Sequence, residues 1–124
     1  MKKKVLIVDD EDNVRRLVAV TLGGGDYEVL QARDGVEALA VAQRERPVLV
    51  LLDVSMPGLD GIEVCRRIKA DPALRGTTVV MLTAQAQADV QRRALAAGSD
   101  TFLTKPFSPL QVLELVERKV SAGP

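Results

Sequence analysis

The chain has 124 residues, 47% of them hydrophobic and 27% charged, which fits one compact domain able to bury roughly two-thirds of its unfolded surface. Seventeen basic and seventeen acidic residues cancel, so there is no electrostatic case for direct nucleic-acid binding. The lack of histidine excludes Ser-His triads and imidazole metal ligands, and lone Cys65 cannot form an internal disulfide.

From the start of the chain, Lys2-Lys3-Lys4 is followed by four apolar residues, Val5-Leu6-Ile7-Val8. A signal peptide needs about 7–15 and a membrane span ~20, so the expectation is cytoplasmic with no membrane partner. The four residues instead have the length of a buried strand that stops at Asp9 and Asp10. Val14, Leu17, Val18 and Leu22 then recur at helical spacing up to the loose run Gly23-Gly24-Gly25. Tyr27-Glu28-Val29-Leu30-Gln31-Ala32 alternates as an edge strand does. After Asp34-Gly35, the triplet Val36, Leu39, Ala40 marks a second helix. Val48-Leu49-Val50-Leu51-Leu52 runs into Asp53, and Pro57-Gly58 and Asp60-Gly61 lead to a third helix carrying Ile62, Cys65 and Ile68. Beyond Asp71-Pro72, Val79-Val80-Met81-Leu82 ends at Thr83. A fourth helix carries Val90, Ala94 and Ala97 and stops at Gly98. Phe102-Leu103 precedes Thr104-Lys105, and after Ser108-Pro109 a fifth helix carries Leu113, Val116 and Val120.

Near-continuous aliphatic runs mark strands covered on both faces, as in parallel sheets. Strict β–α alternation predicts an α/β fold, a doubly wound five-stranded parallel sheet with right-handed crossovers. One domain is expected over residues 1–124, with 121–124 having linker composition. In such sheets ligands sit beyond the carboxyl ends of the strands. Asp9, Asp10, Asp53, Thr83 and Lys105 all follow such ends, so all should converge.

Convergence has a chemical meaning. Two carboxylates 4 Å apart repel by about 4 kcal/mol at an effective dielectric near 20, so the cluster calls for cations. Lys105 supplies one charge; with oxygen ligands alone, the fitting divalent ion is Mg²⁺. Mg²⁺ and Lys105 would neutralise phosphoryl oxygens, Thr83 would donate a hydrogen bond, and one carboxylate would act as nucleophile. The plainer reading makes Asp9 and Asp10 caps of the first helix, but Asp12 can do that job alone.

The fragments "VLIVDDE", "LLDVSMPGLDG", "VVMLTA" and "FLTKPF" occur in order and at suitable spacing. Together they make the chain resemble the receiver domain of bacterial two-component response regulators along essentially its whole length. The resemblance implies the flavodoxin-like strand order 2-1-3-4-5. It implies Asp53 as phosphoacceptor, with Mg²⁺ held by Asp9, Asp10, Asp53 and the backbone carbonyl of Ser55. Lys105 would pair with the aspartate and then with the phosphoryl group, Thr83 would move to contact that group, and Phe102 would turn inward behind it. Pro106 would follow a cis peptide bond. The phosphodonor would be a histidine kinase or histidine phosphotransfer protein. An output protein or effector domain would dock on the face of the fourth helix, fifth strand and fifth helix, including Gln87, Gln91, Arg92 and Phe102, where phosphorylation-dependent homodimers also form in the family. Ser55 and Gln85 stand where family side chains influence how water reaches the acyl phosphate.

The resemblance therefore implies a phosphoacceptor switch and not an enzyme acting on other substrates. The alternative, a Mg²⁺-dependent phosphohydrolase with an aspartyl nucleophile, typically carries a second acid where this chain has Ser55. A phosphorylation-independent scaffold would lack a key residue, and a flavodoxin-like cofactor carrier would need a phosphate-binding loop after the first strand. The chain reads as either a stand-alone receiver or the receiver of a longer regulator.

Overall fold

A computed structural model of the chain describes residues 2–84 and 88–121. Its elements alternate in the predicted order: β1 (Lys3–Val8), α1 (Asp12–Gly23), β2 (Tyr27–Ala32), α2 (Gly35–Glu45), β3 (Leu49–Asp53), α3 (Gly61–Ala70), a 3-10 turn (Pro72–Leu74), β4 (Thr78–Thr83), α4 (Ala88–Ala96), β5 (Thr101–Thr104) and α5 (Pro109–Ser121). Among the described residues the five strands are all parallel and ordered 2-1-3-4-5. Ser121 ends α5 and does not belong to the tail; residues 122–124 lie outside the described residues, as do Gln85 and Gln87.

The aliphatic strands are continuous because both faces are buried. On one face Leu6, Val8, Val50, Leu52, Val79 and Met81 pack with Ala38, Val41 and Ala42 of α2, Ile62, Val64, Cys65 and Ile68 of α3, and Ala94 of α4. On the other, Val5, Ile7, Leu49, Leu51, Val80 and Leu82 pack with Val18 and Leu22 of α1 and Val112, Leu115 and Val116 of α5. Successive strand residues thus feed opposite cores, so a polar residue within 5–8, 49–52 or 79–82 would be buried whichever way it pointed. The strand end is the first position at which a carboxylate finds loop backbone N–H groups as partners, as Asp9 and Asp53 do.

The helices differ from the expected pattern in phase. α2 buries Gly35, Ala38, Val41 and Ala42, whereas Val36 is 72% exposed and Ala40 is exposed. The expected Val36 and Leu39 lie one residue after the buried Gly35 and Ala38, because Val36 outweighs the small residues that pack against the sheet. In α5, Val112 and Leu115 join Val116 in the core, while Leu113 and Val120 are partly buried. Val48 stays outside β3, partly exposed at 38%.

The turns follow their side chains. Asp34 accepts from the Glu37 N–H at 2.9 Å and Asp60 from the Glu63 N–H at 2.9 Å, capping α2 and α3. Ser108 and Gln111 form a reciprocal capping box at α5. Asp12 does not cap α1: it lies inside the first turn, and Glu11 occupies the cap position without a side-chain hydrogen bond.

Two glycine sites make opposite demands. A Cβ on Gly61 would sit 2.0 Å from the Asp53 carbonyl oxygen, so α3 begins pressed against the backbone of β3. Gly24, the C-cap of α1, has φ −88° and open space around a built Cβ. Gly24→Ala should therefore stabilise the chain by about 0.4–1 kcal/mol, through the entropy of the unfolded state. Gly61→Ala should cost about 2 kcal/mol or more, because backbone cannot yield as a side chain can. Urea denaturation of both variants measures the contrast.

Candidate functional site

β1 and β3 are neighbours at the middle of the sheet, in register from Val5↔Leu49 to Val8↔Leu52. Asp9 therefore follows β1 beside Asp53, the last residue of β3. Asp9 is fully buried, Asp53 is 5% exposed and Asp10 is exposed. One oxygen from each of the three lies within 4.8 Å of the others. The set is hard oxygen only, which fits Mg²⁺ and offers nothing to a thiophilic metal.

Lys105 arrives from β5 and answers the negative charge. Its Nζ lies 2.5 Å from Asp9 Oδ2, 3.4 Å from Asp53 Oδ2 and 3.8 Å from Glu11 Oε1. The ammonium is thus shared, with Asp9 as its nearer partner. Asp9 Oδ1 accepts from the Glu11 N–H at 2.9 Å, and Asp53 Oδ1 from the Ser55 N–H at 3.2 Å. The peptide between Lys105 and Pro106 is cis.

Thr83 ends β4 one residue beyond Leu82, the residue in register with Asp53. It is 6% exposed, and its carbonyl accepts from the Lys105 N–H at 2.7 Å. Phe102 pairs with Met81 in register and is partly buried against the core that holds α3 and α4. The sequence-predicted residues thus sit at one edge, with Phe102 behind them in β5 and Gln85 outside the described residues.

Two further residues hold this edge. Gly61 brings α3 against Asp53, and its N–H donates to the Val54 carbonyl at 3.1 Å. Arg15 is 7% exposed and its Nη1 donates to the Asp9 carbonyl at 2.7 Å. Arg15 shares helical spacing with Val18 and Leu22, so a charged residue on the apolar stripe was the available signal.

Electrostatics separate the two key groups. Burial pushes the Asp53 carboxyl up, and the Asp9 charge adds to this; Lys105 and the Ser55 N–H pull the other way, leaving it at about 6. Burial opposes the Lys105 charge, yet the Asp9 hydrogen bond and the charges of Asp53, Asp9 and Glu11 outweigh it and hold the ammonium above the ordinary lysine value. Lys105 is therefore a fixed cation at neutral pH.

The profile of the response regulator receiver domain family matches residues 5–117. The chain is 40% identical to the phosphate regulon transcriptional regulatory protein PhoB of Pseudomonas aeruginosa, over 98% of this chain and 54% of that protein. It is 42% identical to the alkaline phosphatase synthesis transcriptional regulatory protein PhoP of Bacillus subtilis, over 90% of this chain and 46% of that one. It thus spans about half the length of these curated relatives. The solved structure of the chemotaxis protein CheY4 of Vibrio cholerae superposes with a TM-score of 0.91 at 36% identity, covering 95% of this chain and 98% of the other. No helix among the described residues is long and apolar enough to cross a membrane.

The raised Asp53 carboxyl has a consequence for stability. Between the ordinary aspartate value of about 3.9 and about 6, the folded chain holds a proton that the unfolded chain releases. Stability therefore falls as pH climbs through that window, and above it the ionised carboxylate is destabilising in full. In the presence of a chelator, Asp53→Asn should be more stable than the parent by on the order of 2 kcal/mol at pH 7.5, with the difference vanishing near pH 4. Urea denaturation across pH measures it, and added Mg²⁺ should stabilise the parent more than the variant.

Proposed function

The chain belongs to the response regulator receiver domain family of two-component signalling, and on that premise we propose that it is a phosphoacceptor switch, charged at Asp53 by a phosphohistidine on a histidine kinase or histidine phosphotransfer protein. The observation that carries this reading is the Lys105 ammonium, 2.5 Å from Asp9 and 3.4 Å from Asp53 inside a three-carboxylate cluster. A structural ion pair needs one acid. Three acids with one ammonium leave negative charge to spare for a divalent metal, and the metal with Lys105 can then face a phosphoryl group.

Asp9, Asp10, Asp53 and the Ser55 backbone carbonyl would hold Mg²⁺, which when bound supplies positive charge to the phosphoryl oxygens. Asp53 Oδ attacks phosphorus; the new O–P bond forms as the N–P bond to the donor imidazole breaks, and the imidazole nitrogen keeps the electron pair. Lys105 leaves Asp9 and Asp53 for the phosphoryl oxygens, and the Thr83 hydroxyl donates to one of them. An open groove of about 490 Å³ lined by Glu11, Val14, Leu17, Ala84, Lys105, Pro106 and Phe107 gives a donor protein a partly apolar seat beside this edge.

The acyl phosphate carries about −1.5 to −2 charges in place of the carboxylate's single one, with three acceptor oxygens. Moving a two-state equilibrium from 1:99 to 99:1 takes about 5.5 kcal/mol, whereas one charge-assisted hydrogen bond supplies about 1.5–3. The switch therefore uses Thr83, Lys105 and repacking of Phe102 together. The face of α4, β5 and α5 carries the change to an output protein, an effector domain or a second phosphorylated copy. A cytoplasmic location agrees with the free, buried Cys65. The hydrolase alternative finds Ser55, not an acid, two residues after the nucleophile.

Beryllofluoride with Mg²⁺ places a phosphoryl mimic on a carboxylate. It should bind saturably to the parent, detected by fluorine NMR, and not to Asp53→Ala. Binding retained by Asp53→Ala, or steady turnover of small phosphate esters, would overturn the switch. Thr83→Ala should still accept phosphate from a small donor such as acetyl phosphate. Amide shifts in α4, β5 and α5 should then be less than half those of the parent.

A further inference from the structure

Among the described residues the buried charged side chains are Asp9, Asp53 and Arg15, and the chemistry proposed above uses only the first two. Arg15 lies on the same face of α1 as Val18 and Leu22, which enter the core. A guanidinium is costly to bury unless its donors are used. Its Nη2 pairs with Asp12, whose side chain is exposed. Its Nη1 makes a buried bond of 2.7 Å to the Asp9 carbonyl.

That carbonyl belongs to the rigid peptide unit joining Asp9 to Asp10. Asp9 has further anchors: its N–H donates to the Ala32 carbonyl at 3.2 Å, its Oδ1 accepts from Glu11 and its Oδ2 from Lys105. Asp10 is exposed, so core packing does not orient it. The direction of its carboxylate depends on the plane that precedes it, and Arg15 holds the oxygen of that plane.

We infer that Arg15 is a positioning residue that, by fixing the Asp9–Asp10 peptide, presents the Asp10 carboxylate to a divalent cation bound with Asp9 and Asp53. The inference rests on the proposed metal-dependent reading. Its sign sets it apart from a simple charge effect. A guanidinium near a cation site repels the cation, so removing it for electrostatic reasons alone would tighten binding. Loss of orientation weakens binding instead. Partners that orient metal ligands typically account for 10–100-fold in affinity.

The test is Mg²⁺ titration of the full chain, followed by amide NMR at fixed pH and ionic strength, for the parent, Arg15→Met, Arg15→Lys, Asp10→Asn and the Arg15→Met/Asp10→Asn double variant. Arg15→Met should weaken Mg²⁺ about tenfold or more, and Arg15→Lys, which keeps N–H donors without the planar fork, should recover part of the loss. In the Asp10→Asn background Arg15→Met should change affinity by less than about twofold, since the ligand it orients is gone. Equal or tighter Mg²⁺ binding by Arg15→Met overturns the inference, as does an undiminished loss in the Asp10→Asn background. If Arg15→Met does not fold, Arg15→Lys decides by the same comparison: a loss confined to chains with Asp10 supports the role, and an absent or undiminished loss overturns it. A parent chain that ignores Mg²⁺ overturns the metal premise and the inference with it.

Discussion

Like charge in a place that water barely reaches is the constraint on which the rest of the structure depends. Asp9 and Asp53 end adjacent central strands and are almost wholly enclosed. Burial first, and the Asp9 charge beside it, oppose ionisation of Asp53, and its raised carboxyl records both. One fixed ammonium, brought from β5, makes the arrangement tolerable. In the proposed switch the same tension would give the edge its chemistry, because carboxylates short of compensation favour a divalent metal. Natural sites commonly trade stability for function in this way.

The sheet is what allows so much charge in so small a space. Its two cores hold β1, β3 and β4 from both sides, and side chains along each strand alternate between them. A carboxylate anywhere inside those strands would unbalance one core. Beyond their carboxyl ends, the backbone N–H groups of Glu11 and Ser55 donate to the Asp9 and Asp53 carboxylates. Gly61 belongs to the same device, since only a residue without a side chain lets α3 come so close to Asp53.

Strand positions and the site's membership were legible because burial on two faces imposes unbroken aliphatic runs, and each run ended in a residue of conspicuous chemistry. Helix phase was less legible. In α2 the packing is done by Gly35, Ala38, Val41 and Ala42, three of them small and so weak signals beside exposed Val36. Asp12 offered the right side chain for a cap, yet the chain turns into α1 one residue earlier because Asp9 already engages the Glu11 N–H. Arg15 escaped notice since arginine on a helix is ordinarily solvated; only its spacing with Val18 and Leu22 betrayed it. The sharing of Lys105 between two acids is a matter of ångströms that no spacing rule contains. At Gly23, Gly24 and Gly25 a built Cβ meets open space, so sterics do not require glycine there.

The hydrogen bond from the Lys105 N–H to the Thr83 carbonyl, 2.7 Å long, ties the backbones of the last two strands where their side chains reach the acidic edge. Neither segment can shift far without dragging the other or breaking that bond. In the proposed switch, the hydroxyl and the ammonium would consequently move in concert, as two fingers of one hand. A half-response, with one reader engaged and the other at rest, would strain the joint between them and so would sharpen the proposed transition toward all-or-none.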